Sequence, residues 1–414
     1  MPITRLEGKE TLVSTEEEDK GKWLTFEGNY YVVKDNEDFK TVIQNGTSLS
    51  SLITTYVTDM KRMVNNLENP ETFNEPLNTW DVSNVGNMSW MFSNCSSFNQ
   101  PLDSWNVSNV EYTSCMFKDC STFNQPLEEW NVSNVKHMSY MFRGCSSFNQ
   151  SLNSWKVYNV EYMNGMFSFC SLFNQPLNSW NVSNVKNMIG MFSNCLLFNQ
   201  TLNSWNVSNV KDMSWMFYNC SSFNQPLDQW NVSKVESMIC MFQDCSLFNQ
   251  PLGSWNVSNV ERMYLMFKKC LSFNQPLNSW NISKVQSMIC MFQDCSSFNQ
   301  SLNQWNVSNV EYMYYMFEGC SSFNQPLSYD FIQKFIQSNK NIYHSKPLIE
   351  YNQYPLTIEQ VYRLQPHMKE LSTQVEKIIK EYNNYKKSTN IIIDKKMHGF
   401  CKEILSQKLL SYCM

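Results

Sequence analysis

The chain has 414 residues, of which 17% are charged, with a formal net charge of −5 and a pI near 5.6. That balance leaves no global basic field to hold nucleic acid, and no run of 18 apolar residues exists to span a membrane. Alanine is absent while Asn, Ile, Tyr and Lys abound, a bias expected of coding by an AT-rich genome.

The opening residues contain no apolar h-region and neither end carries a lipidation motif, so the expectation is an intracellular protein, host-cytoplasmic or in the virion if viral. Residues 1–47 read as an N-terminal hairpin region. Segments 22–26 and 29–33 are its strands about Glu27-Gly28, after a solvated acidic stretch at Glu16-Glu17-Glu18-Asp19. Residues 48–72 read as a degenerate capping repeat. On that reading Val57, Met60, Met63 and Leu67 take the columns of Val82, Val85, Met88 and Phe92, Asn66 that of the second Met, and Pro70 that of the Cys.

Eleven phenylalanines from Phe73 to Phe323 then recur at intervals of 25 residues. A fixed period of this size marks a solenoid, whose units cannot bury their apolar faces alone. Ten full repeats and a partial eleventh occupy 73–327. In the unit 173–197, Val185, Met188, Met191, Phe192 and Cys195 have helical spacing, and Ser183 is an expected N-cap. Ser108/Glu111, Ser233/Glu236, Ser258/Glu261, Ser283/Gln286 and Ser308/Glu311 read as capping boxes. Lys136, Lys186 and Lys211 leave only the Ser half, and Tyr158 replaces the Ser altogether. Phe-Asn-Gln-Pro-Leu reads as a turn, and Trp180-Asn181-Val182 as a short strand. Nine apolar columns per repeat point inward: Phe, Leu, Trp, Val, Val, Met, Met, Phe and Cys.

Residues 328–414 lose Trp and gain Lys. Segment 358–387 has a helical pattern interrupted at Pro366, with Leu364, Met368, Leu371, Val375, Ile378, Ile379 and Tyr382 on one face, so a helical C-terminal cap or small domain is expected. The fold class is an α/β solenoid of strand-turn-helix units, with a small N-terminal β-hairpin region and a helical C-terminal segment.

The repeated words WNVSNVxxMxxMFxxCxxFNQPL, over residues 48–327, resemble the BspA-like leucine-rich-repeat family in the 25-residue form of mycoplasma-type surface lipoproteins. The resemblance implies a leucine-rich-repeat-like stack and, in bacteria, surface proteins engaged in adhesion and partner binding. Similar arrays occur in protists and large DNA viruses. The family carries no catalytic residues to transfer, and neither a lipobox Cys nor a wall anchor accompanies the repeats here.

Candidate chemistry is sparse. Ten of the fifteen cysteines form one column, Cys95 to Cys320, at a core phase. Neighbouring repeat helices about 8–10 Å apart would keep them from disulfide range, so they read as small buried hydrophobes. Cys115, Cys240 and Cys290 add Cys-Met-Phe-x-Asp-Cys words without a nearby His, a weak zinc signal. His137, His344, His367 and His398 sit in no nucleophile or metal motif, and no Gly-rich phosphate loop is present. No enzymatic activity, cofactor or metal is expected. The Met and Trp columns read as core, each indole N–H bonded to a loop carbonyl. The Asn-Val-Ser triplets at Asn106, Asn131, Asn181, Asn206, Asn231, Asn256 and Asn306 match a glycosylation sequon copied along with its repeat.

The copies disagree on the outer face of the expected helix. Trp90, Tyr112, Tyr140, Tyr162, Trp215, Tyr264, Tyr312 and Tyr315 stand there, and exposed Tyr and Trp are common interface anchors. The expected function is a non-enzymatic interaction scaffold for a protein partner, itself a monomer or weak oligomer. The alternatives are a structural component of a larger assembly such as a viral particle, and an adhesin exported by an unrecognised route.

Overall fold

The computed structural model describes residues 3–7 and 9–342. Strands β1 (Ile3–Arg5) and β2 (Leu12–Ser14) pair antiparallel. Strands β3 (Trp23–Thr25) and β4 (Asn29–Val32) form a hairpin with Trp23 opposite Tyr31, and Glu27 turns the chain at φ 53. A helix missed by sequence reading follows, α1 (Asn36–Gln44). The Asp35 carboxylate caps it by accepting from the N–H groups of Glu37 and Asp38. Phe39 and Ile43, one turn apart, face inward, and Phe39 meets Trp80 edge-on at 5.2 Å. Strand β5 (Leu52–Ile53) runs parallel to β4 and joins this cap to the array.

The repeats form a solenoid, but neither the expected helix nor the expected strand forms inside them. No α-helix occurs between Ile53 and Tyr329, and 180–182 is irregular backbone. Each coil is a chain of tight turns closed by N–H bonds to the carbonyl three residues back: Trp180 to Leu177, Val185 to Val182, Met191 to Met188, Cys195 to Phe192. The alternate N–H groups reach the next coil instead, from Gly190 to Ser214, Phe192 to Met216 and Asn194 to Tyr218, at 2.7–2.9 Å. Parallel bridges mark this ladder from Asp59↔Asn87 to Ser287↔Tyr312. Two residues per coil adopt positive φ, here Gly190 (60°) and Asn194 (62°), which turns the chain where a helix would have continued. Successive turns place residues i, i+3, i+4 and i+7 on one side, as a helix does. The nine inward columns are therefore the expected ones although the conformation is not. All are buried, in one continuous core from Val33 to Phe335. The expected capping boxes are absent as well, since there is no helix to cap: the Glu111 carboxylate pairs with Lys136 instead.

The degenerate repeat is also placed differently. Asp59 bridges Asn87, Met60 donates to the Asn87 carbonyl and Arg62 (φ 60) occupies the positive-φ site of Trp90 (φ 63). Val57, Met60, Met63 and Leu67 thus stand in the columns of Val85, Met88, Met91 and Cys95. A three-residue insertion before Phe73 restores the period.

Polar ladders satisfy the groups that the turns leave over. Each Asn following the repeat Phe accepts, through Oδ1, the N–H of its counterpart in the next coil, as Asn174 does from Asn199 at 2.9 Å. Each Trp indole N–H donates to the Leu carbonyl one coil back, Trp205 to Leu177 at 3.0 Å, as expected. Each column Cys from Cys120 to Cys320 donates to a Phe carbonyl 28 residues earlier, Cys195 to Phe167 at 3.0 Å. The thiols are free. The helix-spacing argument for this does not hold, because the coils stack as strands do, about 4.8 Å apart.

Stacked rings report the shape of the array. Neighbouring indoles lie 6.3 Å apart at Trp180 and Trp205 and at Trp230 and Trp255, and 6.5 Å apart at Trp255 and Trp280. The Phe rings behind the ladder, such as Phe192 and Phe217, are 5.8 Å apart, and His137 and Tyr162 outside it only 4.9 Å. The array therefore curves, with the ladder on its concave side. After Leu327, helix α2 (Tyr329–Ile342) lays Phe331, Ile332 and Phe335 over the last coil, the two Phe rings 6.1 and 6.3 Å from Phe317. The helical pattern expected over 358–387 lies outside the described residues.

Candidate partner-binding face

All eight aromatic residues singled out by the variation between copies lie on the concave ladder face, in three neighbouring columns. Tyr112, Tyr162 and Tyr312 sit at the bridge positions, and Tyr264 two residues further along its coil. Trp90, Tyr140, Trp215 and Tyr315 occupy the first positive-φ site, at 63°, 58°, 56° and 55°. They flank a ribbon of turns and not the outside of a helix. Tyr112, Tyr140, Trp215 and Tyr312 are 37–43% exposed, while Trp90, Tyr162, Tyr264 and Tyr315 are half-buried.

Coil stacking brings some of them together. His137 lies between Tyr112 and Tyr162, its ring 5.3 and 4.9 Å from theirs, a three-ring stack of which Tyr112 is the exposed member. Trp90 is flanked by Arg62 at 5.2 Å and Lys118 at 5.6 Å, and Arg143 lies 5.3 Å from the exposed Phe169 ring. Asp119 holds both Lys118 and Arg143 by ion pairs of 3.0 and 3.2 Å. Trp215, Tyr264 and the pair Tyr312 and Tyr315 stand further along, so the eight form a stripe and not one pocket. The stripe spans nine coil spacings, roughly 43 Å at strand separation.

The first positive-φ column follows an order that sequence reading missed. Large residues alternate with small ones: Trp90, Cys115, Tyr140, Gly165, then Gly190, Trp215, Cys240, Leu265, Cys290, Tyr315. At positive φ the side chain leans over the next coil. A Cβ on Gly165 would lie 2.2 Å from the Tyr140 ring, and the Trp215 side chain hydrogen-bonds Cys240. From Trp90 onward each large residue is therefore followed by a small one. The alternation slips at Gly165 and Gly190, and before it begins Arg62 packs over Trp90 at 5.2 Å. Also missed were His137, the cations beside Trp90 and Phe169, and the exposed Phe169, Leu172, Leu196 and Leu197 just beyond the ladder. Their signal was present, since these are columns in which the copies differ.

The cysteines on and behind this face are chemically quiet. Burial pushes the thiols of Cys115 and Cys290 up to about 11 and that of Cys240 up to about 12, so none is a nucleophile near neutral pH. Among the described residues no three His, Cys, Asp or Glu side chains are grouped so as to hold a metal ion, and no helix is long and apolar enough to cross a membrane.

A family model described as "Mycoplasma protein of unknown function, DUF285" matches residues 33–155, 125–230 and 211–331, which together span most of the chain. The chain belongs to this family. It is the mycoplasma-type BspA-like repeat family that the repeated words resemble. Two solved structures are similar to this family member. A leucine-rich repeat protein from Bacteroides ovatus ATCC 8483 shares 13% identity, covering 78% of this chain and 97% of that one, with a TM-score of 0.25. TLR13, solved in complex with ssRNA13, shares 9% identity, covering 73% of this chain and 51% of that one, with a TM-score of 0.24. No curated protein matches.

Proposed function

We propose that the chain is a non-enzymatic protein-interaction scaffold whose partner lies along the concave ladder face. One observation carries this reading. Large aromatic side chains stand exposed on the same side of a rigid array, in columns where the core-forming pattern demands nothing. Such residues lose little conformational freedom on binding and supply most of the energy at protein interfaces. Membership of a family of repeat proteins supports the reading.

Changing Trp90, Tyr140, Trp215 and Tyr315 together to Ser is expected to leave thermal unfolding within a few degrees of the parent and to abolish recovery of the partners that the parent captures from source cells. Recovery of the same partners by a folded variant would place the interface elsewhere.

Both ends of the described array are covered, by α1 with the N-terminal strands and by α2, so coils of separate molecules have no bare core to share. Light scattering is expected to report a mass of 48.8 kDa independent of concentration. A mass that rises with concentration would favour a component of a larger assembly.

A further inference from the structure

The column preceding the bridge residues changes electrostatic character along the array. In the N-terminal half its charges alternate and neutralise each other between coils: Lys136 pairs with Glu111 at 2.7 Å and Lys186 with Glu161 at 2.5 Å. Lys211 and Glu236, 3.6 Å apart, end this pairing. Beyond them the column reads Glu261, Gln286, Glu311, with no cation among them. Across the same face stand Asp294 and Glu318, and Gln293 donates a hydrogen bond to the Glu318 carboxylate. Among the described residues, none of these four carboxylates has an ion-pair partner. Arg262, Lys268, Lys269 and Lys284 are the cations of this region; Lys269 is taken by Asp244 at 3.7 Å and Lys284 donates to Asn259 at 2.6 Å. Burial, more than any other influence, holds the Glu318 carboxyl above the usual range. The same stretch of face carries apolar surface: Tyr312 is 43% exposed and lies 5.8 Å from Tyr314, with Tyr264, Leu265 and Ile289 half-buried beside them.

The chain leaves the array at this face. The N–H of Met313, whose equivalent in every earlier coil finds a carbonyl of the coil ahead, donates here to the Ser338 hydroxyl at 2.8 Å. The C-terminal part of α2 thus stands where the next ladder strand would be, beside Tyr312. From there, residues 343–414 carry eleven lysines and arginines against seven acidic residues, a net charge of +4 in a chain whose total is −5. They also contain the apolar series Leu364, Met368, Leu371, Val375, Ile378, Ile379 and Tyr382, interspersed with Lys369, Lys377 and Lys380. A basic segment with an apolar series complements an acidic face with an aromatic patch in both respects. Glu261 lies only two coils back from the exit, roughly 10 Å at strand spacing.

We infer that the segment 358–387 of the same chain docks on the concave face of the last three coils, its lysines against Glu261, Asp294, Glu311 and Glu318 and its apolar residues over Tyr264 and Tyr312. A partner reaching that end of the face has to displace this segment. The inference stands apart from any partner's identity.

Zero-length carbodiimide crosslinking of the full chain tests it, using an equal mixture of isotopically light and heavy protein read by peptide mass spectrometry. The expected result is links within single chains from Lys369, Lys377, Lys380, Lys386 or Lys387 to those four carboxylates. They should fall at least about five-fold in 0.5 M salt, because exposed charge pairs are screened. They should fall similarly in the double variant Tyr264→Ser/Tyr312→Ser, which keeps every carboxylate. Three results would overturn the inference: no such links, links spread evenly over the carboxylates of the N-terminal half, or links only between light and heavy chains. The last would assign the face to a second copy.

Discussion

Raising the pH from 7.5 to 9.5 is expected to lower the urea midpoint of the array steeply, with the loss beginning near pH 8.5. The cause is the cysteine column. Burial pushes the thiols of Cys95 and Cys320, at its two ends, up to about 12, and drives those between them higher than an ordinary thiol. In the folded array the protons stay on. In the unfolded chain the same thiols ionise near pH 8.5, so folding stability is complete below that value and falls as pH rises through it, up to the folded values. Each thiol contributes a slope of about 1.4 kcal/mol per pH unit. Ten such groups in a column are enough to exhaust the typical 5–15 kcal/mol of a folded domain within about one unit, if they unfold together. Urea titrations followed by circular dichroism at pH 7.5, 8.5 and 9.5, under reducing conditions, measure the slope. Iodoacetamide labelling of the column peptides at pH 8.5 is expected to require urea. A flat midpoint, or fast labelling of native protein, would contradict the account.

Phe192→Ala is expected to cost about 3–5 kcal/mol, the range for an aromatic ring removed from a core. Phe192 lies between Phe167 and Phe217, 5.8 Å from each, and also touches Phe198 at 4.2 Å and Trp205 at 6.2 Å. The cavity would open at an interface between coils in the middle of the array. Stability in a solenoid is a sum over nearest neighbours, so weakening that interface should uncouple the halves and split one unfolding transition into two. Phe317→Ala, against α2 at the end, is expected to loosen only the last coils and leave a single main transition. Calorimetry of the two variants distinguishes these outcomes, and identical thermograms would count against nearest-neighbour coupling.

The inward columns were legible in the sequence because a run of tight turns and a helix bury the same positions, Met188, Met191, Phe192 and Cys195. What separates the two conformations is the destination of alternate N–H groups, which depends on a coil 25 residues away. One local signal was available. In all but two coils the second positive-φ site is filled by residue types that tolerate the left-handed region, Asn94, Asp119, Gly144, Asn194, Asn219, Asp244, Asp294 and Gly319, with Phe169 and Lys269 the exceptions. The first site gave no such signal, since Trp90, Tyr140 and Trp215 are held there against their local preference. Helix α1 was legible too, in Asp35 followed by Phe39 and Ile43 one turn apart. The register of the decayed repeat was obscured by its insertion, and is plain only from Arg62 matching Trp90. For the candidate face, the variable columns pointed to the right side of the molecule. The stacking of His137 between Tyr112 and Tyr162 could not be read, because lateral neighbours are distant in sequence.

The lean of each large residue over a small successor bears on how such a gene can grow. Excising a small-residue coil between two large ones, or duplicating a large-residue coil, sets two bulky residues side by side: removing the coil of Cys240 would bring Leu265 against Trp215. Two coils, 50 residues, can be copied with every lateral contact preserved, and the identical stretch Ile-Cys-Met-Phe-Gln-Asp-Cys-Ser recurs at 239 and 289 with that spacing. The unit that copies with all its lateral contacts intact is then a doublet, twice the visible period. Excising the coil of Gly165 or Gly190, where two small residues meet, sets no two bulky residues together.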